Sequence, residues 1–324
     1  MSESPVVSII MVTYNHEKYI RQALDSVIMQ KTDFPFELLV GDDASSDHTP
    51  EIIKEYAKRY PELIIPVLRK KNIGNLANGI DLKKRSRGKY IAHLDGDDSW
   101  CNSSKLQIQY NFLEKHPEFI GTFSWCNIID HKGNIIQYAN NSHYFLFPNH
   151  IFTMLDFQLG RIPGQYGTGM YHNIYSTVSY DWPELFNIDS MIADQLVTMM
   201  LCSNNAKIYV SHKRLSNYRY ITSNTTAQNF YSVSANDADI SLTDFRYHNN
   251  AEKNFEKLTG QKVSLRPRKF IHLQDDILLF LKKPSLNTLR RIISMVNEEK
   301  HPFRLILDGL IINYMHRNRY TKSK

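Results

Sequence analysis

The sequence predicts an α/β protein: a doubly wound sheet of parallel strands with helices on both faces, followed by a helical C-terminal region. Three observations carry this. Short β-rich apolar runs alternate with helix-period stripes over the first third of the 324-residue chain. Acid clusters stand directly after two of those runs. From about residue 229 the apolar residues fall into a loose helical stripe to the end.

Val6–Val12 is a continuous β-rich run, the pattern of a strand buried on both faces. Ile20, Ala23, Leu24, Val27 and Ile28 then share one helix face. Phe36–Val40 is the second strand, and the polar run from Gly41 to Asp47 turns the chain. Thr49 before Pro50 is a helix start, an N-cap residue followed by proline at N1, and that helix ends before Pro61. Leu63–Leu68 is a third strand, Leu76–Arg85 a helix and Tyr90–Leu94 a fourth strand. Ser103 or Ser104 caps a helix through Lys115, which Pro117 stops. The middle is less regular. Phe119–Trp125 is strand-like, residues 131–134 form a turn, Asp189 or Ser190 caps a helix, and Lys207–Val210 is a short strand. Arg266-Pro267 and Lys283-Pro284-Ser285 interrupt the helical end of the chain.

Composition narrows the function. With 42% hydrophobic and 22% charged residues, wholesale disorder is excluded. Three cysteines without CxxC spacing cannot build a disulfide framework and read as reduced thiols of the cytoplasm. The first residues lack a basic segment before an apolar run, so no signal peptide is expected, and no run approaches a membrane span. The net charge of +6 sits at the end: residues 282–324 carry +7, leaving −1 for the first 281. A nucleic-acid enzyme would carry its cations around the working groove, so nucleic acid is not an expected partner. A basic, apolar-rich tail suits an anionic membrane surface; the same stripe also allows packing on the body or a homodimer.

The chemistry-bearing groups are Asp42-Asp43 and Asp95-Gly96-Asp97-Asp98, each following a strand. Ligands of open parallel sheets bind outside the carboxyl ends of the strands, so both clusters belong on one rim with Thr13-Tyr14-Asn15. A lone aspartate there is most simply a turn former or a cap. Five together repel one another, and a compensating cation relieves that repulsion. Hard oxygen ligands select Mg²⁺ or Mn²⁺, ions that accompany phosphates. Neither GxGxxG nor GxxxxGK[ST] occurs, which argues against dinucleotide redox chemistry and a P-loop. The thirteen histidines lack zinc spacing; His93 reads as a strand residue and Cys101 as an incidental thiol.

These motifs, Val7–Asn15, Val40–Thr49, Asn72-x-Gly74 with Asn78-Gly79, and Gly88–Trp100 with Lys105, resemble family 2 glycosyltransferases of the GT-A fold, of the type that builds bacterial cell-surface polysaccharides. The resemblance covers residues 6–115 best, is weaker over 165–228 and stops there. It implies a GT-A domain over 1–228, with a nucleotide-sugar half to about 118 and an acceptor half beyond, then a helical region over 229–324. It implies inverting transfer from a UDP- or dTDP-linked sugar to a glycan or lipid-linked acceptor; the cysteines place the enzyme in the cytoplasm, and its tail either docks on the inner membrane face or packs on the body or a second copy. By position, Thr13, Tyr14 and Asn15 line the nucleotide pocket, with Tyr14 against the base. Asp43 bonds base or ribose, Asp95 meets ribose or sugar, and Asp97 is the metal ligand of a DxD motif. Asp98 is either part of that set or a backbone acceptor, and Trp100 either a sugar platform or a core aromatic. Asp194, at a helix start well past the DxD motif, matches the family's base, with Asp189 and Glu184 as competitors. Arg219, in a Tyr-Arg segment, is either a diphosphate ligand or half of a surface ion pair. The histidine that many relatives carry after that arginine is replaced by Ile221-Thr222-Ser223-Asn224. Two other classes remain open: a nucleotidyltransferase, which would need a basic Gly-rich loop after the first strand, and a nucleotide-sugar or glycan binder without transferase activity.

Overall fold

The computed structural model describes residues 4–136, 147–177, 193–220, 240–299 and 301–307. They fall into two compact units. The first is drawn from Met1–Thr153, Ile162–Tyr180 and Val197–Ser232, the second from Met154–Arg161, Asp181–Leu196 and Val233–Lys324.

The first unit is built on a nine-stranded sheet. Its strands are β1 (Val7–Thr13), β2 (Phe36–Asp42), β3 (Ile64–Leu68), β4 (Tyr90–Asp95), β5 (Ser99–Trp100), β6 (Phe119–Ile129), β7 (Ile151–Phe152), β8 (Met170–His172) and β9 (Lys207–Arg219). The spatial order is β3-β2-β1-β4-β8-β6-β9-β5, with β7 beside β9. Helices α1 (Ile20–Ile28), α2 (Thr49–Arg59), α3 (Asn75–Arg85) and α4 (Lys105–Lys115) connect the first strands. Of the short helices, α5 (Met154–Gln158) belongs to the second unit and α6 (Ile174–Thr177) to the first, and α7 spans Ala193–Leu201, of which residues 193–196 belong to the second unit.

Strands β3, β2, β1 and β4 pair parallel, as the βα alternation predicts. The expectation of an all-parallel sheet is corrected beyond them. Strand β8 runs antiparallel to both β4 and β6, while β6 and β9 pair parallel. Three residues are too few to show a period, so β8 left no pattern in the sequence. Two further local readings change. His48, not Thr49, is the N-cap of α2. Asp47 Oδ1 accepts from the Thr49 N–H at 3.0 Å, which frees the Thr49 hydroxyl to accept from the His16 N–H. Strand β9 also runs nine residues past the predicted Val210.

The core follows from the uninterrupted apolar runs. Val7, Ile9 and Met11 of β1, Leu38 and Val40 of β2, and Ala92 and Leu94 of β4 are buried with Ile20, Leu24 and Val27 of α1 and Leu106 and Leu113 of α4. At the amino ends of the strands a buried carboxylate ties the sheet together. Glu37 accepts from Ser8 Oγ at 2.7 Å, from the Arg87 N–H at 2.9 Å and from the Arg87 guanidinium at 2.6 and 2.9 Å. Gly88 also donates its N–H to Ser8 Oγ, and a Cβ there would stand 2.5 Å from Ser8 N, so only glycine fits.

The second unit holds α8 (Ile240–Thr259), α9 (Arg266–Lys282) and α10 (Leu286–Glu298). Phe245, Phe270, Leu273, Met295 and Leu305 form its core. Pro267 lies in the first turn of α9, where the missing N–H costs nothing. Buried Lys269 is paired with Glu252 at 3.0 Å and Glu299 at 2.7 Å. Phe230 and Val233 of the predicted stripe, and Leu310, Ile311 and Ile312 near the end, lie outside the described residues.

Glu37→Ala leaves the buried Ser8 hydroxyl without its acceptor and the Arg87 N–H with Ser8 Oγ alone, at 3.1 Å, and should cost about 2 kcal/mol. Urea unfolding checks this. A loss within about 0.5 kcal/mol of zero would show that the bond set adds nothing to stability.

Candidate active site

Register decides what stands on the carboxyl rim. Thr13 pairs with Asp42 across β1 and β2, and Val12 pairs with Asp95 across β1 and β4. The Thr13-Tyr14-Asn15 turn, Asp42-Asp43 and the Asp95–Asp98 loop therefore leave adjacent strands at the same edge, as the sequence predicts. Backbone bonds close the set: the Asp43 N–H donates to Thr13 O at 3.0 Å and the Gly96 N–H to Val12 O at 2.9 Å.

The turns after β1 and β2 are laced together. The Asn15 N–H donates to Ser45 Oγ and Asn15 Oδ1 accepts from the Ser46 N–H, both at 2.9 Å. The Glu17 N–H reaches Asp47 Oδ2 at 3.0 Å, and Glu17 Oε2 accepts from the His48 N–H at 3.1 Å. Asn15 and Ala44 both adopt left-handed backbone, with φ of 55° and 61°. For alanine this costs about 1 kcal/mol. The Ser45 N–H and hydroxyl donate to Asp42, whose burial pushes its carboxyl upward against those bonds.

The predicted donor residues divide by what they touch. Tyr14 is the exposed member, with 41% of its surface open. Thr13 is buried, yet its hydroxyl has no hydrogen-bond partner among the described residues. Asn15 is engaged in the lacing. Asp43 is buried, and its two oxygens accept from the Ile73 and Gly74 N–H groups, each at 2.8 Å. It clamps the start of α3, with its remaining lone pairs left over. Asp97 is 22% exposed, with His16 Nε2 at 3.9 Å from Oδ2. Asp95 is half-buried and closes the loop by accepting the Asp98 N–H at 3.1 Å.

Asp98 turns inward. It is buried, accepting from the Arg219 N–H at 2.7 Å and from Gln165 Nε2 at 3.2 Å. Burial first, then the charges of Asp97 and Asp95, push its carboxyl well above the usual carboxylate range. Arg219 takes a place the sequence did not suggest. It is 2% exposed, not a surface residue, and Nε, Nη1 and Nη2 donate to Asp97 O, Asp130 O and Gln22 Oε1 at 2.7, 2.8 and 2.6 Å. Its guanidinium lies 4.5 Å from the centre of the Tyr19 ring. Arg219 thus fixes the acidic loop from behind.

Trp100 is a core aromatic. It is 2% exposed, its Nε1 donates to Gly167 O at 3.2 Å, and the Lys105 ammonium sits 4.4 Å from its ring centre. Lys105 is wholly buried and donates to Gln109 Oε1 at 2.6 Å, while Gln109 donates to Thr168 O at 2.9 Å. Desolvation pulls the Lys105 ammonium down to about 7. His93 is a buried strand residue bonded to Tyr171 OH at 2.6 Å, and Cys101 is an exposed thiol raised by desolvation.

Sequence reasoning missed His16 and Gly96. A Cβ on Gly96 would stand 2.6 Å from Thr13 Oγ1 and 2.9 Å from His16 Nδ1, so glycine is required between them. His16 Nδ1, like Thr13 Oγ1, is buried without a partner among the described residues. The available signal was the glycine inside the acidic motif.

The donor set suits a hard divalent cation. Mg²⁺ and Mn²⁺ take one or two carboxylates and complete their shells with phosphate oxygens and water. Asp97, exposed at the rim, offers such a carboxylate. Among the described residues no three His, Cys, Asp or Glu side chains are grouped to hold a metal.

Asp194 lies near the start of α7, its side chain outside what is described; Asp189 and Glu184 also lie outside the described residues. No helix among the described residues is long and apolar enough to cross a membrane.

A parallel sheet with an acid-lined loop at its carboxyl edge, extended by an antiparallel strand, defines an α/β protein of GT-A type. The chain belongs to the family described as glycosyl transferase family 2, whose profile matches residues 8–178. An uncharacterized protein of Mycobacterium tuberculosis is 46% identical over 127 residues, 39% of this chain and 37% of that protein. An uncharacterized glycosyltransferase of Methanocaldococcus jannaschii is 35% identical over 137 residues, 42% of this chain and 46% of that protein. The matched stretch thus spans less than half the length of either relative. Among solved structures, S. aureus TarS in complex with UDP-GlcNAc superposes with a TM-score of 0.60 at 20% identity, covering 90% of this chain and 79% of that one. The mannosyltransferase PcManGT from Pyrobaculum calidifontis, in complex with GDP-Man and Mn²⁺, gives 0.55 at 13% identity, covering 99% and 83%. Both share the fold.

The Lys105 ammonium gives a signed pH dependence. Its folded pKa near 7 lies below the ordinary 10.5, so between those values the unfolded chain binds the extra proton and stability rises with pH. From pH 7 to 9 the wild type should gain about 2 kcal/mol relative to Lys105→Met, read from urea unfolding at both pH values. Equal slopes for the two proteins would mean that Lys105 titrates as an ordinary lysine.

Proposed function

We propose that this chain is an inverting, metal-assisted glycosyltransferase that moves a sugar from a UDP- or dTDP-linked donor to a hydroxyl of a glycan or lipid-linked acceptor in cell-surface polysaccharide synthesis. The observation that supports it most is the gathering of Thr13, Tyr14, Asp43, Asp95 and Asp97 on one rim of a family 2 sheet. The catalytic domain is assigned to 1–228, and the enzyme to the cytoplasm at the inner membrane face. The UDP-GlcNAc and GDP-Man complexes of its fold neighbours are in keeping with a nucleotide-sugar donor.

In this reading Tyr14 stacks on the base and Asp43 meets the base edge or ribose. Asp95 meets the ribose or donor sugar, and Asp97 holds the divalent ion. Mg²⁺ or Mn²⁺ held there would supply positive charge against the leaving nucleoside diphosphate. Asp194 is assigned the base role from the resemblance and its place near the helix start. It takes the proton from the acceptor hydroxyl while that oxygen attacks the anomeric carbon. The bond to the diphosphate breaks on the opposite face, and the configuration inverts. Positioning and electrostatics supply most of the barrier reduction. Arg219 is kept as a candidate diphosphate ligand, and it also holds the Asp95–Asp98 loop through Asp97 O.

Calorimetry with UDP should give binding strengthened at least about tenfold by Mn²⁺, and Asp97→Ala should remove that gain. Release of nucleoside diphosphate with an acceptor present should fall by at least about a thousandfold in Asp97→Ala and Asp194→Asn. Near-normal turnover by a folded Asp194→Asn protein would withdraw that aspartate as the base. UDP binding without any product release, across a panel of acceptors, would make the chain a binder.

A further inference from the structure

The turn between α9 and α10 carries an apolar knob that the second unit does not bury. Ile277, Leu278, Leu279 and Leu281 on α9, with Leu286 and Leu289 on α10, expose between 36% and 73% of their surface. The core of this unit, around Phe245, Phe270 and Met295, does not include these side chains. Large exposed aliphatic side chains grouped so closely along two consecutive helix ends are a candidate contact site.

The knob is rigidly mounted. Buried Arg291 donates to both oxygens of buried Asp276, Nε to Oδ2 at 2.9 Å and Nη2 to Oδ1 at 2.8 Å, pinning α10 to α9. Ser285 caps α10 by accepting the Thr288 N–H at 3.1 Å, and the Lys283 N–H closes α9 on Leu279 O at 2.8 Å. The two helix ends therefore present their leucines on a fixed support.

Charge selects the occupant. From Ile277 to Ile293 the chain holds no acid and four cations. Arg291 is committed to Asp276, while Lys282, Lys283 and Arg290 are exposed beside the leucines. Asp276, directly before Ile277, is the acid that Arg291 occupies, and Asp275, two residues before Ile277, is the next nearest along α9. A second copy meeting this face about a twofold axis would set these cations against their own images, with no acid in the stretch to pair them. Anionic headgroups match both features: aliphatic side chains enter the acyl boundary, and the lysine stems reach back to the phosphates.

We propose that the α9–α10 turn is a membrane-docking tip that inserts its leucines into an anionic lipid surface with Lys282, Lys283 and Arg290 at headgroup level. The donor site plays no part in this proposal, so the two stand or fall separately.

The test is co-sedimentation of the full chain, without nucleotide, with vesicles of phosphatidylcholine alone or with one third phosphatidylglycerol. Binding should require the anionic lipid and weaken with salt. Leu281→Ser with Leu286→Ser, and separately Lys282→Glu with Lys283→Glu, should each lower the partition coefficient by more than about tenfold. The melting temperature and UDP binding should not change, because all four side chains are exposed. Absence of binding, binding equal on neutral vesicles, or binding that survives both double variants would each overturn the proposal. So would a dimer in gel filtration that the leucine variant dissociates while the wild type ignores vesicles, since the face would then belong to a second copy.

Discussion

Everything at the carboxyl rim depends on how Arg219 holds the acidic loop. Asp95, Asp97 and Asp98 fall within four positions, and such carboxylates repel one another. The structure resolves this by sorting them. Asp98 is turned inward onto the Arg219 N–H and Gln165, and the Arg219 side chain grips the loop through Asp97 O. Its other guanidinium nitrogens reach Asp130 O and Gln22 Oε1, so one buried cation joins the end of β9 to α1, the turn after β6 and the loop. With Asp98 withdrawn, the Asp97 carboxylate remains partly exposed, with His16 Nε2 at 3.9 Å, while its backbone carbonyl is held by Arg219.

A second brace backs the same loop. Trp100 ends β5, its indole bonded to Gly167 O and its ring facing the buried Lys105. Lys105 passes to Gln109, and Gln109 to Thr168 O. Together with the Asp98–Gln165 bond, this links the acidic loop to the 165–168 segment through groups that leave the rim to other side chains. A buried polar network of this kind rigidifies when its members are bonded. Burying an ammonium lowers the cost of losing its proton, the cause of the depressed Lys105 value.

The sequence made the first half of the sheet readable because buried parallel strands are continuous apolar runs. Val7–Thr13, Phe36–Asp42 and Tyr90–Asp95 are of this kind, and an acid follows or ends the latter two. Knowing that strand ends share a rim was enough to bring Thr13, Asp43, Asp95 and Asp97 together before any coordinates. Side-chain direction was not readable. Whether Asp98 or Asp97 faces the rim depends on Arg219, whose partners lie 121 and 122 positions away along the chain. Strand β9 was cut short because Lys213 and Arg214 interrupt its alternation, although pairing with β6 carries it to Arg219. The α2 cap moved from Thr49 to the preceding residues because the Thr49 hydroxyl was needed by His16, a tertiary demand with no local trace.

Some of the energetic deficits of this molecule stand at the carboxyl rim. Thr13 Oγ1 and His16 Nδ1 are buried without partners among the described residues, and Gly96 is the one residue type that fits between them. Each unmet polar atom costs about 1–3 kcal/mol. Ala44 is held at positive φ a few residues away in sequence from Asp42. A fold of marginal stability keeps such costs where the surroundings over-determine them. Here the lacing of the turns after β1 and β2 provides that constraint: Asn15, Glu17, Ser45 and Asp47 fix the backbone, leaving Tyr14 exposed. The same constraint leaves the Thr13 hydroxyl and the His16 ring unsatisfied beside Asp97. Rigid backbone, unmet polar atoms and a partly exposed carboxylate therefore converge on one stretch of rim.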